Sequence, residues 1–83
     1  MNEVIAVEAR FEIDGTIHPL AFSWRGKRYR VASLGRQWEQ GDERHFLVMT
    51  PDEQIYELAY LPGEGRWRLR RTPKDLRPPR RAV

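Results

Sequence analysis

Turn-forming residues recur so often in this chain that no long helix fits between them. Asp14-Gly15, Arg25-Gly26-Lys27, Gln40-Gly41-Asp42, Pro51-Asp52 and Pro62-Gly63-Glu64-Gly65 divide 83 residues into short pieces. Between them, aromatic, aliphatic and β-branched residues alternate with polar ones. Regular spacing of that kind predicts an antiparallel all-β meander or small barrel. The expected fold is therefore all-β: five to six antiparallel strands in a bent sheet or small SH3-like barrel over residues 1–71. Residues 72–83 form a basic, proline-containing tail, read as a short helix or coil.

Alternation assigns the faces, because successive strand side chains point to opposite sides. Val7, Ala9, Phe11 and Ile13 share one face of the first strand, opposite Glu8, Arg10, Glu12 and Asp14. Leu20, Phe22 and Trp24 are expected to face inward, with Ala21 and Ser23 outward. Pro19 has no amide hydrogen, so it belongs at a strand start, an edge or a bulge. Tyr29 and Val31 then point in, with Arg28 and Arg30 out. Gly35 predicts a bulge or sharp bend before Trp38. His45 to Thr50 forms a strand covered on both sides, with Phe46 and Val48 opposite Leu47 and Met49. Tyr56, Leu58 and Tyr60 share the inner face of the next. In Thr72-Pro73-Lys74-Asp75-Leu76, Thr can cap a helix, Pro suits its first position and Asp falls three after the cap.

The chain has no cysteine, which excludes disulfides and thiolate chemistry. A domain of this length must then be held by packing, which nine aromatic residues can supply. No apolar run approaches the ~20 residues of a membrane span. Met1-Asn2-Glu3 lacks the basic start and apolar core of a secretion signal. A cytoplasmic protein, without a membrane partner, is expected.

Charge is distributed unevenly. Residues 66–83 hold eight basic residues against the single acid Asp75, or +7, while residues 1–65 hold seven against eleven, or −4. In Arg66-Trp67-Arg68-Leu69-Arg70-Arg71, Trp67 and Leu69 share the inner face and Arg66, Arg68 and Arg70 the outer one. The candidate nucleic-acid-binding residues are Arg28, Arg30, Arg66, Arg68, Arg70, Arg71, Arg77, Arg80 and Arg81, acting on phosphates. The competing explanation is a solvated sheet face on which arginines pair with Glu57, Glu8 or Glu12 across strands. Thirteen of the fifteen basic residues are arginine, a bias that GC-rich codon usage also produces.

Catalytic groups are few. His18 and His45 are far apart in sequence and read as surface or strand-end histidines; no metal-ligand spacing is present. Asp42-Glu43 and Asp52-Glu53 read as solvated turns, and Gly63-Glu64-Gly65 as a hairpin turn and not a phosphate loop. No catalytic residue, metal or cofactor is expected, and the chain is read as a non-enzymatic binding module. Trp38, in a polar stretch, reads as a lid on the core in preference to an exposed stacking platform.

Phe22-Ser23-Trp24-Arg25-Gly26-Lys27-Arg28-Tyr29-Arg30-Val31, Trp38, Phe46-Leu47-Val48 and Trp67-Arg68-Leu69 together form a recognisable outline. It resembles a small uncharacterised bacterial domain with the pattern F-x-W-R-G-x-x-Y-x-V. That domain occurs alone or at the C-terminus of some catalytically inactive Y-family polymerase-like mutagenesis proteins. The resemblance spans residues 16–71 and carries no catalytic residue. It implies association with error-prone DNA repair or replication, through nucleic acid or a protein of that machinery. The basic tail departs from the pattern. A protein-interaction adapter docking Leu76-Arg77-Pro78-Pro79-Arg80 in extended form is the alternative reading.

Overall fold

Each turn signal reverses the chain. A computed structural model describes residues 2–76. It contains β1 (Glu3–Phe11), β2 (Ile17–Trp24), β3 (Lys27–Arg30), β4 (Ser33–Gln40), β5 (Glu43–Met49), β6 (Ile55–Leu61), β7 (Arg66–Arg71) and α1 (Pro73–Leu76). All pairings are antiparallel, in the order β3-β2-β1-β7-β6-β5-β4. Two meanders, β1–β3 and β4–β7, are joined where Glu3, Val4 and Ile5 pair with Leu69, Arg68 and Trp67.

The two edge strands, β3 and β4, are consecutive in sequence. Only Val31 and Ala32 separate them, and these two residues tie both edges together. The Val31 amide donates to the Leu20 carbonyl (2.9 Å) and the Ala32 amide to that of Met49 (2.7 Å). So short a connector can join opposite edges only if the sheet curls on itself, and the result is a half-barrel. At one end Arg44 reaches from β5 to the Gly15 carbonyl in the β1–β2 turn (2.9 Å).

There is one strand more than the five or six expected. The stretch around Gly35 continues as β4 because a bulge absorbs the interruption: pairing passes from Leu34–Val48 to Gln37–Phe46, with one residue extra on β4.

The core lies on the concave face, where Ile5, Ile17, Phe22, Phe46, Val48, Tyr56, Leu58, Trp67 and Leu69 form one cluster. Trp67 is 7% exposed and Leu69 fully buried, as their alternation requires. Phe22 stacks on Tyr29 and meets Tyr56 edge-on, both at 5.0 Å between centroids, while Trp67 packs on Tyr60 (5.0 Å) and Phe46 (5.5 Å). Such pairs add about 0.5–1.5 kcal/mol each to the area they bury.

Two inward assignments fail. Leu20 is 46% exposed, while Ala21, expected outside, is fully buried. The cause is a second bulge: Glu8 pairs with Ala21 but Ala9 with Pro19, so Leu20 is passed over and the alternation changes phase. Ile13 is fully exposed because β1 ends at Phe11 and Ile13 lies in the turn. Phe11, also largely exposed, packs its ring edge-on against Tyr60 at 5.4 Å.

The capping expected at residue 72 is present. Asp75 Oδ2 accepts from the Thr72 amide (2.9 Å) and hydroxyl (3.0 Å), and Leu76 N–H closes the turn on the Thr72 carbonyl (3.0 Å). Those donors hold the Asp75 carboxyl below its ordinary pKa.

Candidate nucleic-acid interface

The arginine strand lies on the convex face, where carboxylates engage most of its cations. Between β6 and β7 the register passes from Leu58–Leu69 to Glu57–Arg71, so Arg70 is the extra residue of a third bulge. Two consecutive arginines thereby reach the same face. Arg70 bonds Glu43 and Asn2 (2.9 Å to the latter), and Arg71 Nε donates to Glu57 Oε1 at 2.5 Å. Arg68 lies 3.6 Å from Glu64. Arg28 grips Glu8 through Nε (2.7 Å) and Nη2 (3.0 Å), a fork that raises the arginine pKa and lowers that of the acid.

Arg66 is exposed as expected, but the Arg68 and Arg70 side chains are only 23% and 24% exposed. Arg30 and Arg66 make no ion pair among the described residues. Arg77, Arg80 and Arg81 lie outside the described residues.

The same face holds a group that the sequence did not reveal. His45, expected as a surface or strand-end histidine, is 6% exposed and lies within β5. Its Nδ1 lies 2.8 Å from Glu57 Oε2 and its Nε2 3.3 Å from Glu43 Oε1. Asn2, Arg70, Glu43, His45, Glu57 and Arg71 thus form one connected network. Trp38 is a cover, but of this network: it pairs directly with His45 across β4 and β5, on the face away from the aromatic core. The only hint in the sequence is parity, since His45 and Glu57 sit on the outer phase of strands whose inner phase is apolar. With both carboxylates engaged by arginines, the arrangement reads as structural. Among the described residues no three His, Cys, Asp or Glu groups could hold a metal ion.

A different set of cations is unpaired. Trp24-Arg25-Gly26-Lys27 is a two-residue hairpin turn with positive φ at both Arg25 (50°) and Gly26 (76°), the signature of type I′. The Arg25 guanidinium lies over the Trp24 ring, 4.7 Å from its centroid, and Lys27 Nζ lies 5.1 Å from that of Tyr29. Neither cation makes an ion pair among the described residues, nor does Lys74, although its charge helps lower the pKa of neighbouring Asp75. Trp24 and Arg25 face Thr72, Pro73, Lys74 and Asp75 of the α1 segment across a groove of about 470 Å³. Indole Nε1 of Trp24 donates to Glu3, which fixes the ring. The one acid among the groove's described residues, Asp75, is held by Thr72. The described chain ends at Leu76, beside this groove, and the three tail arginines follow it in sequence.

Arg28 and Arg30 of β3 are sequence candidates, whereas Arg25, Lys27 and Lys74 are not. Their signal was present: a turn that projects Arg25, and cations bordering Trp24 and Tyr29. No protein-family model matches the chain, and no curated protein or solved structure is significantly similar to it. Among the described residues no helix is long and apolar enough to cross a membrane.

Proposed function

We propose that this chain is a non-enzymatic binding module that holds the phosphate backbone of a nucleic acid at the end formed by the β2–β3 turn and α1. Arg25, Lys27 and Lys74 supply the folded part of the interface, and Arg30 and the tail arginines extend it, whereas Arg66 lies at the far end of β7, beside the β6–β7 turn. The observation that carries this reading is the contrast between two sets of cations. Those of the convex face are largely matched by carboxylates, while those around the groove make no ion pair among the described residues, and Lys74 belongs to the +7 end of the sequence. Unmatched cations are the ones that release counterions from a phosphate backbone without first breaking an ion pair. The paired arginines Arg28, Arg68, Arg70 and Arg71 contribute secondarily.

The sequence outline that resembles a domain of mutagenesis proteins is the support for setting that nucleic acid, or a protein bound to it, in cytoplasmic error-prone repair or replication. Fluorescence anisotropy with labelled DNA across a salt series tests the reading. Binding should weaken steeply with salt, and Lys27→Ala with Lys74→Ala should flatten that dependence.

A protein-interaction adapter is the second reading. It is favoured by the unpaired edge of β4, beside an apolar groove of Leu34, Leu47, Met49 and Ile55. In that case DNA binding would be absent and the groove cations dispensable.

A further inference from the structure

The groove between the β2–β3 turn and α1 has the lining of a slot for one nucleotide. Resting on the nucleic-acid reading above, we propose that it receives a single unpaired base, so that the chain prefers single-stranded to double-stranded nucleic acid.

Three observations converge on this. The volume, about 470 Å³, falls within the range of ~300–1,000 Å³ usual for small-ligand sites. Its lining combines the indole of Trp24 and the ring of Pro73 with the cations Arg25 and Lys74. The guanidinium of Arg25 already lies over the Trp24 ring, so a base entering the groove extends a stack begun by the protein.

The platform is also held in place. Trp24 bonds Glu3 through Nε1 and packs against Tyr29 and Tyr56, each at 6.3 Å between centroids. Electrostatics orders the ligand along the groove. Asp75 stays ionised because Thr72 donates to it twice, and it repels phosphate from the floor beside its own carboxylate. Phosphates therefore belong at the lining cations Arg25 and Lys74, and the uncharged base belongs against Asp75. A duplex keeps its bases stacked inside and offers such a groove only phosphates.

The test compares three labelled DNAs of one length at one low salt concentration: a single strand, its duplex, and the strand with its bases removed. Stacking of one base is worth roughly 5- to 150-fold in affinity, so the intact strand should bind about fivefold or more tighter than the other two. Arg25→Gly suits the positive φ of the turn and leaves the hairpin intact. It should bring the ratio of single-strand to duplex affinity close to one, whereas Lys74→Ala should weaken all three ligands together. Equal affinity for the three DNAs overturns the base slot and leaves the phosphate-binding reading standing. No binding of any DNA by the folded protein at tens of micromolar overturns both.

Discussion

Trp38 lies flat on His45, with ring centroids 5.1 Å apart and planes 8° from parallel. Beneath that cover Glu57 accepts from both His45 and Arg71. The convex face of the half-barrel is thus a second layer of packing, built from linked polar groups, although His45 Nε2 and Arg70 Nε are buried without a hydrogen-bond partner among the described residues. Removing one member should matter according to its burial. Glu57→Ala leaves buried His45 without its partner and should cost about 1–3 kcal/mol. Arg71→Ala, whose side chain is half exposed, should cost less than about 1 kcal/mol. Urea melts of the two variants check this, and the reverse order would contradict the assignment of Glu57 as the buried hub.

The concave core makes a larger demand. Trp67 bridges Phe46 and Tyr60, and its replacement by Ala should cost about 3–5 kcal/mol. A loss below ~1 kcal/mol in a urea melt would contradict the register of β7 and the closure of the sheet through it.

Alkaline pH should act through Tyr56. Burial, followed by the neighbouring Tyr29 and Asp52, raises its pKa above the ordinary value of 10.0. An acid whose folded pKa is raised is stabilised as its protonated form. The unfolded chain therefore loses this proton first, and stability falls as pH rises above the unfolded value. Tyr56→Phe should show a shallower loss of melting temperature above about pH 10 than the native chain does. Identical alkaline profiles would show that Tyr56 is not the responsible group.

Six of the seven described strands and the inward positions of Phe22, Tyr29, Phe46, Val48, Tyr56, Leu58, Trp67 and Leu69 were legible in the sequence because alternation holds within an unbroken strand; β4 was not. What escaped was set by bulges. Each inserts one residue and changes the phase beyond it. Gly35 announced the first and Pro19 hinted at the second, yet the position of Leu20 depends on which residue is skipped. The third, at Arg70, has no glycine or proline to mark it, and it brings Arg70 and Arg71 to one face. Partner choice was only partly readable. Glu8 and Glu57 do pair with arginines, as the solvated-face explanation expected, but with Arg28 and Arg71. The groove was hidden for another reason: it joins Trp24 and Arg25 to Thr72 through Asp75, segments separated by most of the chain.

The tail should contribute to binding separately from the groove. Arg80→Ala with Arg81→Ala should flatten the salt dependence of DNA binding by about two phosphate contacts, each worth ~0.7–0.9 in the slope of log affinity against log salt. An unchanged slope would restrict the interface to the folded domain.

The central claim is that unpaired cations around the groove hold phosphate, and paired ones largely do not. The most direct measurement is the salt slope of DNA binding, by fluorescence anisotropy, for the native chain, for Lys27→Ala with Lys74→Ala, and for Arg28→Ala. With four to six phosphate contacts the native slope should be roughly −3 to −5. The two lysine changes should flatten it by about 1.4 to 1.8, and Arg28→Ala, which removes a cation already committed to Glu8, should leave it nearly unchanged. A slope altered by Arg28→Ala but not by the lysine changes would contradict the claim, as would no binding by the folded protein at low salt.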